Sequence, residues 1–166
     1  MRRRSDSGQV LVEFALVLPI LIGMLVGSLD LGRVILANDL VANAAREAAR
    51  YAIVHGGSKI TACPVGPAGL EAIVPLASPS CPHPSPSTQA IRDVAIGFAG
   101  AGGQAVTVTV CYGRGCSGDT NAVGATNVRG TPVTVTVTAT VQAVAARFVG
   151  ISSFTVSSTS TMLVNT

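Results

Sequence analysis

The chain contains no tryptophan, and aromatic residues make up only 4% of its 166 residues. Charged residues are also scarce at 11%, against roughly 25% in a typical soluble domain. Without large aromatic side chains, a folded domain must pack on valine, alanine, isoleucine and leucine, and small cores of this kind usually need covalent staples or partners. The low charged fraction, together with a hydrophobic fraction of 48%, indicates a membrane segment. A length of 166 residues suits such an anchor plus one small domain.

The few charges are unevenly distributed. Arg2, Arg3 and Arg4 are clustered at the start, whereas the chain beyond residue 8 holds 8 basic and 7 acidic residues. A nucleic-acid-binding protein needs a basic stripe on its folded part, and this sequence shows none. We therefore expect no nucleic acid among its partners.

The residues that usually carry catalysis or bind metals are also sparse. His55 and His83 are the only histidines, and the Cys81-x-His83 pair lacks the second spaced pair that a structural zinc site needs. The glycines from Gly97 to Gly103 precede a predicted strand, which is the wrong order for a dinucleotide-binding loop. With no nucleophile elbow either, we expect no enzyme, no catalytic residue, no metal, no cofactor and no small-molecule substrate.

One long apolar run lies near the N-terminus. From Val10 to Leu29 about 20 residues carry a single charge, and a helix of this length spans roughly 30 Å, the hydrocarbon thickness of a bilayer. Because the arginine cluster precedes the run, the positive-inside rule keeps that end in the cytoplasm. Everything after the span is then placed outside.

The helix is predicted to continue beyond the membrane, over residues 9–54. The segment Asp30–Val54 has no proline and many strong helix formers, and Gly56-Gly57 supplies a stop signal. Pro19 lacks a backbone donor and predicts a kink or a local opening inside the span. A stripe at helical spacing predicts a face that a neighbouring helix or a sheet could cover: Val34, Leu40, Val41, Ala44, Ala45, Ala48 and Ala52.

The rest of the chain divides into a loop and a β-rich head. Residues 55–87 are rich in proline, glycine and serine, which predicts a loop with no packed element. Residues 88–166 are predicted to form the head, beginning with a short helix over 88–100. The period of the hydrophobic pattern then changes from 3.6 residues to 2, which predicts strands with one buried and one solvent-exposed face. The predicted strands are Val106–Val110, Val133–Val141 and, more weakly, Ser153–Leu163.

These elements predict an α+β fold. The long helix, transmembrane in its lower half and exposed in its upper half, is expected to pack against a small antiparallel sheet. The loop between the first two strands is rich in glycine, asparagine and aspartate and is expected to be exposed.

All four cysteines lie beyond the apolar run. Four cysteines allow three pairings, and the sequence alone does not choose among them. Local spacing favours Cys63 with Cys81 around a proline-rich loop, and Cys111 with Cys116 across a short turn. Four unpaired thiols are the alternative. Disulfides need an oxidising compartment, which agrees with export.

A glycine, a glutamate and an aromatic residue mark the start of the apolar run. Gly8 ends a basic leader, residues 1–8, and Glu13 and Phe14 follow at five and six residues. A carboxylate at bilayer depth normally marks function, although it can also snorkel to the interface. Cleavage after Gly8 would give Gln9 a new, cationic α-amine, one helical turn from Glu13. The Glu13 carboxylate could neutralise this amine in the same chain or in a neighbouring chain.

The run Gly8–Phe14 resembles the G-x-x-x-x-E-[YF] processing site of type IV pilin-like proteins of the tight-adherence (Tad/Flp) system. The stretch over residues 8–54 is similar to TadE-like minor pilins, also called pseudopilins, whereas the β-rich end matches only loosely. The features that carry the resemblance are Val12-Glu13-Phe14, Leu18-Pro19, Asp30-Leu31-Gly32-Arg33 and the run Asn43–Tyr51.

The resemblance implies a pilin-like fold and cleavage by a dedicated aspartic prepilin peptidase in the membrane. It further implies a role in building or initiating the pilus. The expected partners are the lipid bilayer, the prepilin peptidase, other pilins and the Tad secretion and assembly proteins. The protein would be a single-pass cell membrane protein with a cytoplasmic N-terminus and a periplasmic or extracellular head, in the membrane or in a pilus.

Two other functional classes stay open. One is a single-pass anchored adhesin or envelope protein without pilin processing. The other is a secreted protein whose signal peptide is cut near Ala42-Asn43-Ala44. The apolar run is longer than the 7–15 residues of a signal peptide and contains Glu13 and Pro19, which argues against the secreted form.

Two further residue pairs in the helix have more than one interpretation. Gly23 and Gly27 form a G-x-x-x-G motif that predicts close helix packing, although glycine is common in membrane helices. Asp30 and Arg33, three residues apart, form either an ion pair at the outer interface or two independently solvated charges.

Overall fold

The computed structural model describes residues 7–56, 63–67, 81, 83, 87–145, 147 and 150–165. These residues form a single antiparallel sheet in the order β1-β2-β3, with two α-helices. This arrangement confirms the predicted α+β fold. The elements are α1 (Ser7–Val54), α2 (Gln89–Ala99), a 3-10 turn (Gly100–Gly102), β1 (Ala105–Tyr112), β2 (Pro132–Gln142) and β3 (Ser153–Leu163).

Helix α1 is uninterrupted. Its 48 residues correspond to a length of about 72 Å, and it ends at Val54 as the sequence predicts. The chain stays α-helical on both sides of Pro19, and the predicted bend of the helix axis there stays a prediction.

The upper half of α1 packs on the sheet through small side chains. Because alanine has only a methyl group, the helix backbone can lie close to the sheet, and valines on the inner face of β2 fill the space between them. The predicted stripe is confirmed for Val41, Ala44, Ala45, Ala48 and Ala52, all fully buried. Val34 and Leu40 are half-buried, and Ala37 and Ala49 are also buried.

Helix α2 and Tyr112 complete the core beside this stripe. Ile91, Ala95 and Ala99 form the buried side of α2, which packs on α1 and β1. Tyr112 is the largest fully buried side chain of the described residues, and its burial raises the pKa of the phenol.

Strand β3 runs along α1 in the same direction. Phe154 near its start lines a pocket with Gly27 and Val34, and Met162 near its end lines another with Arg50. Asn165 then donates its backbone N–H to the carbonyl of Ile53 at 3.3 Å. The described residues of the β2–β3 connection therefore lie level with the end of the apolar run, and we call them the lower loop: 143–145, 147 and 150–152. The β1–β2 connection, residues 113–131, lies at the opposite end and is the upper loop.

The upper loop covers part of the outer edge of β1. The Asp119 carboxylate accepts hydrogen bonds from the Val110 N–H at 2.9 Å and from the Arg92 guanidinium at 2.8 Å, and the Asn121 side-chain oxygen accepts from the Tyr112 N–H at 2.9 Å. These bonds occupy the outer-edge N–H groups of Val110 and Tyr112, so this end of β1 is closed to pairing with another strand. Most residues of this loop are exposed, as the sequence predicts, and Asn127 is buried.

A short segment of the proline-rich region belongs to the core. Val65 is 2% exposed, its N–H donates to the His55 carbonyl at 2.8 Å, and its own carbonyl accepts from the Asn127 amide at 2.9 Å. The prediction of no packed element within 55–87 is wrong for residues 64–67, which are buried. Composition indicated an irregular backbone correctly, but it could not show that Val65 fills a gap in the core. The rest of the predicted loop lies largely outside the described residues.

Replacing Gly66 with alanine is expected to lower the free energy of unfolding by about 1–3 kcal/mol. A Cβ at residue 66 would lie 2.7 Å from the Asn127 Cβ and 2.8 Å from its side-chain nitrogen, so Asn127 would have to move and release the Val65 carbonyl. Urea unfolding of the oxidised protein in detergent measures the change. Gly97→Ala is the matched control, because nothing lies within 4 Å of that position in α2. Equal midpoints for Gly66→Ala and the unmodified protein would contradict the prediction.

Candidate functional site: the N-terminal helix and its attachment to the head

The first half of α1 presents apolar side chains on all sides. Every residue from Gly8 to Leu25 is exposed. A helix that is apolar all round belongs either in a protein core or in a membrane, and the head does not cover this one. Within the described part of the chain, Gly8–Val54 is the one helix long and apolar enough to cross a bilayer. More than half of the surface is exposed for Val10, Leu11, Val12, Phe14, Leu16, Val17, Ile20, Leu21, Ile22, Met24 and Leu25.

The predicted processing site lies in the first turn of α1. The helix begins at Ser7, so Gly8 and Gln9 are among its first residues. A Cβ at Gly8 would meet no atom of the described residues within 4 Å. The described fold therefore gives no packing reason for a glycine here.

Glu13 lies one helical turn above Gln9 and is exposed among apolar neighbours. Phe14, beside it, is 60% exposed. Among the described side chains, none forms an ion pair with Glu13. Neutralisation of Glu13 by a new amino terminus or by a neighbouring chain stays a prediction.

The two glycines of the G-x-x-x-G motif have different surroundings. Gly23 is exposed, whereas Gly27 is half-buried and lines a pocket with Ala145 and Phe154 of the head. A Cβ at either position would meet nothing within 4 Å. Packing of this face on another helix stays a prediction, and Gly27 also lies beside the head.

Asp30 attaches the lower loop to α1. Its side chain is buried, and one carboxylate oxygen accepts hydrogen bonds from the N–H groups of Val144 at 2.9 Å and Ala145 at 2.7 Å. Arg33, one turn above, donates to the Gln142 carbonyl at 3.4 Å. Independent solvation is therefore wrong for Asp30. The sequence singled out Asp30 and Arg33 but missed Val144 and Ala145, because backbone N–H groups leave no signature in a sequence.

Both disulfides join the cysteines that local spacing favours. Cys63 is bonded to Cys81 and Cys111 to Cys116, so the described chain has no free cysteine. The first bond ties the segment around Val65 to the chain that leads into α2. His83, two residues beyond Cys81, donates a hydrogen bond to the Asp93 carboxylate, which lowers the pKa of Asp93 below its usual value.

The helix and the head together define a class of protein. Its N-terminal helix is exposed and is long and apolar enough to span a membrane, and a small disulfide-bonded head packs on the upper half of that helix. Residues 8–50 match the family model described as TadE-like protein, so this N-terminal segment is similar to that family and the predicted resemblance is confirmed there. The match starts at Gly8 and ends inside α1, so it does not include the head. No curated protein and no solved structure matches the chain.

Proposed function

We propose that the protein is a membrane-anchored minor pilin, a TadE-like pseudopilin, that a prepilin peptidase processes and that acts in the assembly or initiation of a Tad/Flp-type pilus. The observation that carries this proposal is the TadE-like match over residues 8–50, the part of α1 that combines an exposed apolar surface with Gly8, Glu13 and Phe14. The role is structural: the protein is not an enzyme.

The proposed processing step is hydrolysis of the peptide bond between Gly8 and Gln9. Water adds to the Gly8 carbonyl, residues 1–8 leave with a new carboxylate on Gly8, and Gln9 keeps a new α-amine. That amine is mostly cationic near neutral pH. It lies one turn from Glu13, so the two charges can neutralise each other within one chain or between neighbouring chains whose helices are shifted along their axes.

The proposed orientation places the N-terminus in the cytoplasm and the head outside the membrane. The three arginines of the leader support it through the positive-inside rule. The two disulfides support it as well, because such bonds persist in oxidising compartments. The proposed partners are the bilayer, the peptidase, other pilins and the Tad assembly proteins.

The N-terminal residue of the mature protein tests this proposal. Intact-mass measurement of the protein from cells with and without the peptidase should give a chain that starts at Gln9 only when the peptidase is present. A chain that keeps Met1 in both cells would indicate an anchored adhesin or envelope protein instead. A start near Ala45 would indicate a secreted protein released by signal peptidase.

A further inference from the structure

The lower loop reaches the depth at which the apolar run of α1 ends. The Asp30 carboxylate, one residue beyond Leu29, is bonded to the loop amides of Val144 and Ala145. Ala145 also lines a pocket with Gly27, which lies about 4.5 Å further down the helix axis than Asp30. If α1 spans a bilayer over residues 10–29, this end of the head lies in the headgroup region.

The exposed surface of the lower loop suits that position. Val144 is 51% exposed and Ile151 45% exposed, and Arg147 between them is exposed as well. The segment 143–152 contains no acidic residue. The upper loop at the far end of the head carries Asp119, Arg114 and Arg129, all exposed, and lies away from the span.

Charge at this depth also favours an anionic surface. The Asp30 carboxylate is turned toward the loop amides and is only 6% exposed. Arg33 and Arg147 remain exposed near the end of the span. Basic side chains next to a membrane span are attracted to anionic headgroups, and apolar side chains beside them enter the boundary with the acyl chains.

We propose that the lower loop is a second membrane contact, in which Val144 and Ile151 enter the outer boundary of the bilayer that α1 spans and Arg147 lies beside lipid phosphates. The protein then meets the membrane at two points, α1 and the lower loop, which restricts the rotation and tilt of the head relative to the bilayer. This inference rests on the proposed function in one respect: α1 must cross the bilayer.

The absence of tryptophan makes a direct depth measurement possible, because one introduced tryptophan is the only indole in the protein. Three full-length, oxidised variants are reconstituted into vesicles of phosphatidylcholine and phosphatidylglycerol: Ile151→Trp in the lower loop, Leu21→Trp in the span and Val123→Trp in the upper loop. Lipids brominated near the carbonyls or near the chain ends then quench the fluorescence according to depth. Val144→Trp is a second reporter on the lower loop.

Each reporter has a distinct expected result. Leu21→Trp is quenched most by lipids brominated near the chain ends, and Val123→Trp by neither lipid. Ile151→Trp is quenched more strongly by lipids brominated near the carbonyls than by lipids brominated near the chain ends, because an interfacial side chain lies about 5–10 Å into the headgroup and acyl boundary. Arg147→Gln in the Ile151→Trp background weakens this quenching in vesicles with phosphatidylglycerol, whereas Arg114→Gln, its control on the upper loop, does not.

The outcomes separate this inference from the function on which it rests. If Leu21→Trp is quenched while Ile151→Trp and Val144→Trp both behave like Val123→Trp, the second contact is wrong and the membrane anchor stands. If Leu21→Trp is not quenched, the anchor fails and the second contact fails with it. Equal effects of Arg147→Gln and Arg114→Gln would remove the phosphate contact from the proposal.

Discussion

A Gly8→Val variant is expected to keep its leader, with cleavage slowed roughly 100-fold. A valine side chain next to the bond to be cut would hold the Gly8 carbonyl away from the catalytic groups of the peptidase, and a displacement of about 1 Å is enough for a loss of that size. Among the described residues, a Cβ at Gly8 meets no atom within 4 Å, so the described fold leaves room for a larger side chain. The effect should therefore arise in the peptidase and not in folding.

Intact-mass measurement of membrane fractions gives the ratio of uncleaved to cleaved chain for this variant. Gly23→Val is the matched control: it is the same change in the same helix, at another glycine with nothing within 4 Å. It should be processed normally, and both variants should remain in the membrane fraction. Normal maturation of Gly8→Val would remove the pilin processing site and leave the chain as a simple anchored protein.

The sequence predicted the parts of this fold that follow from local periodicity. The 3.6-residue period of the alanine stripe placed Ala44, Ala48 and Ala52 on the face that meets the sheet. The alternation of valine and threonine predicted both the position of β2 and the face of it that is buried, because successive side chains of a strand point to opposite faces. The observed strand Pro132–Gln142 extends the predicted one by one residue at each end.

The sequence could not predict contacts between distant segments. Val65 lies among prolines and glycines, and its place in the core depends on Asn127, 62 residues further along the chain. The attachment of Asp30 depends on amides 114 and 115 residues away. Neither contact has a local pattern, since a buried acceptor can be satisfied by any N–H group that the fold brings near.

An Asp30→Ala variant is expected to release the lower loop from α1, weakening the local closed state by about 2 kcal/mol. The carboxylate accepts two charge-assisted hydrogen bonds, and alanine leaves the Val144 and Ala145 amides without them. The loss is smaller than the sum of two such bonds because Val144 is half exposed and water can replace part of the interaction. Asp30→Asn keeps an acceptor oxygen without the charge, so its effect should be intermediate.

Hydrogen exchange of the Val144 and Ala145 amides measures this release, and about 2 kcal/mol corresponds to roughly 30-fold faster exchange. The amides of the β2 core, such as Val135, should keep their protection, because the alanine stripe still holds the sheet on α1. Asp39→Ala is the control: Asp39 is an exposed carboxylate on the same helix, and its loss should change exchange little. Unchanged exchange at Val144 and Ala145 in Asp30→Ala would mean that the sheet alone holds the lower loop against the helix. Faster exchange at Val144 and Ala145, combined with unchanged protection of Val135, would show that Asp30 fixes this end of the head to α1 where the apolar run stops.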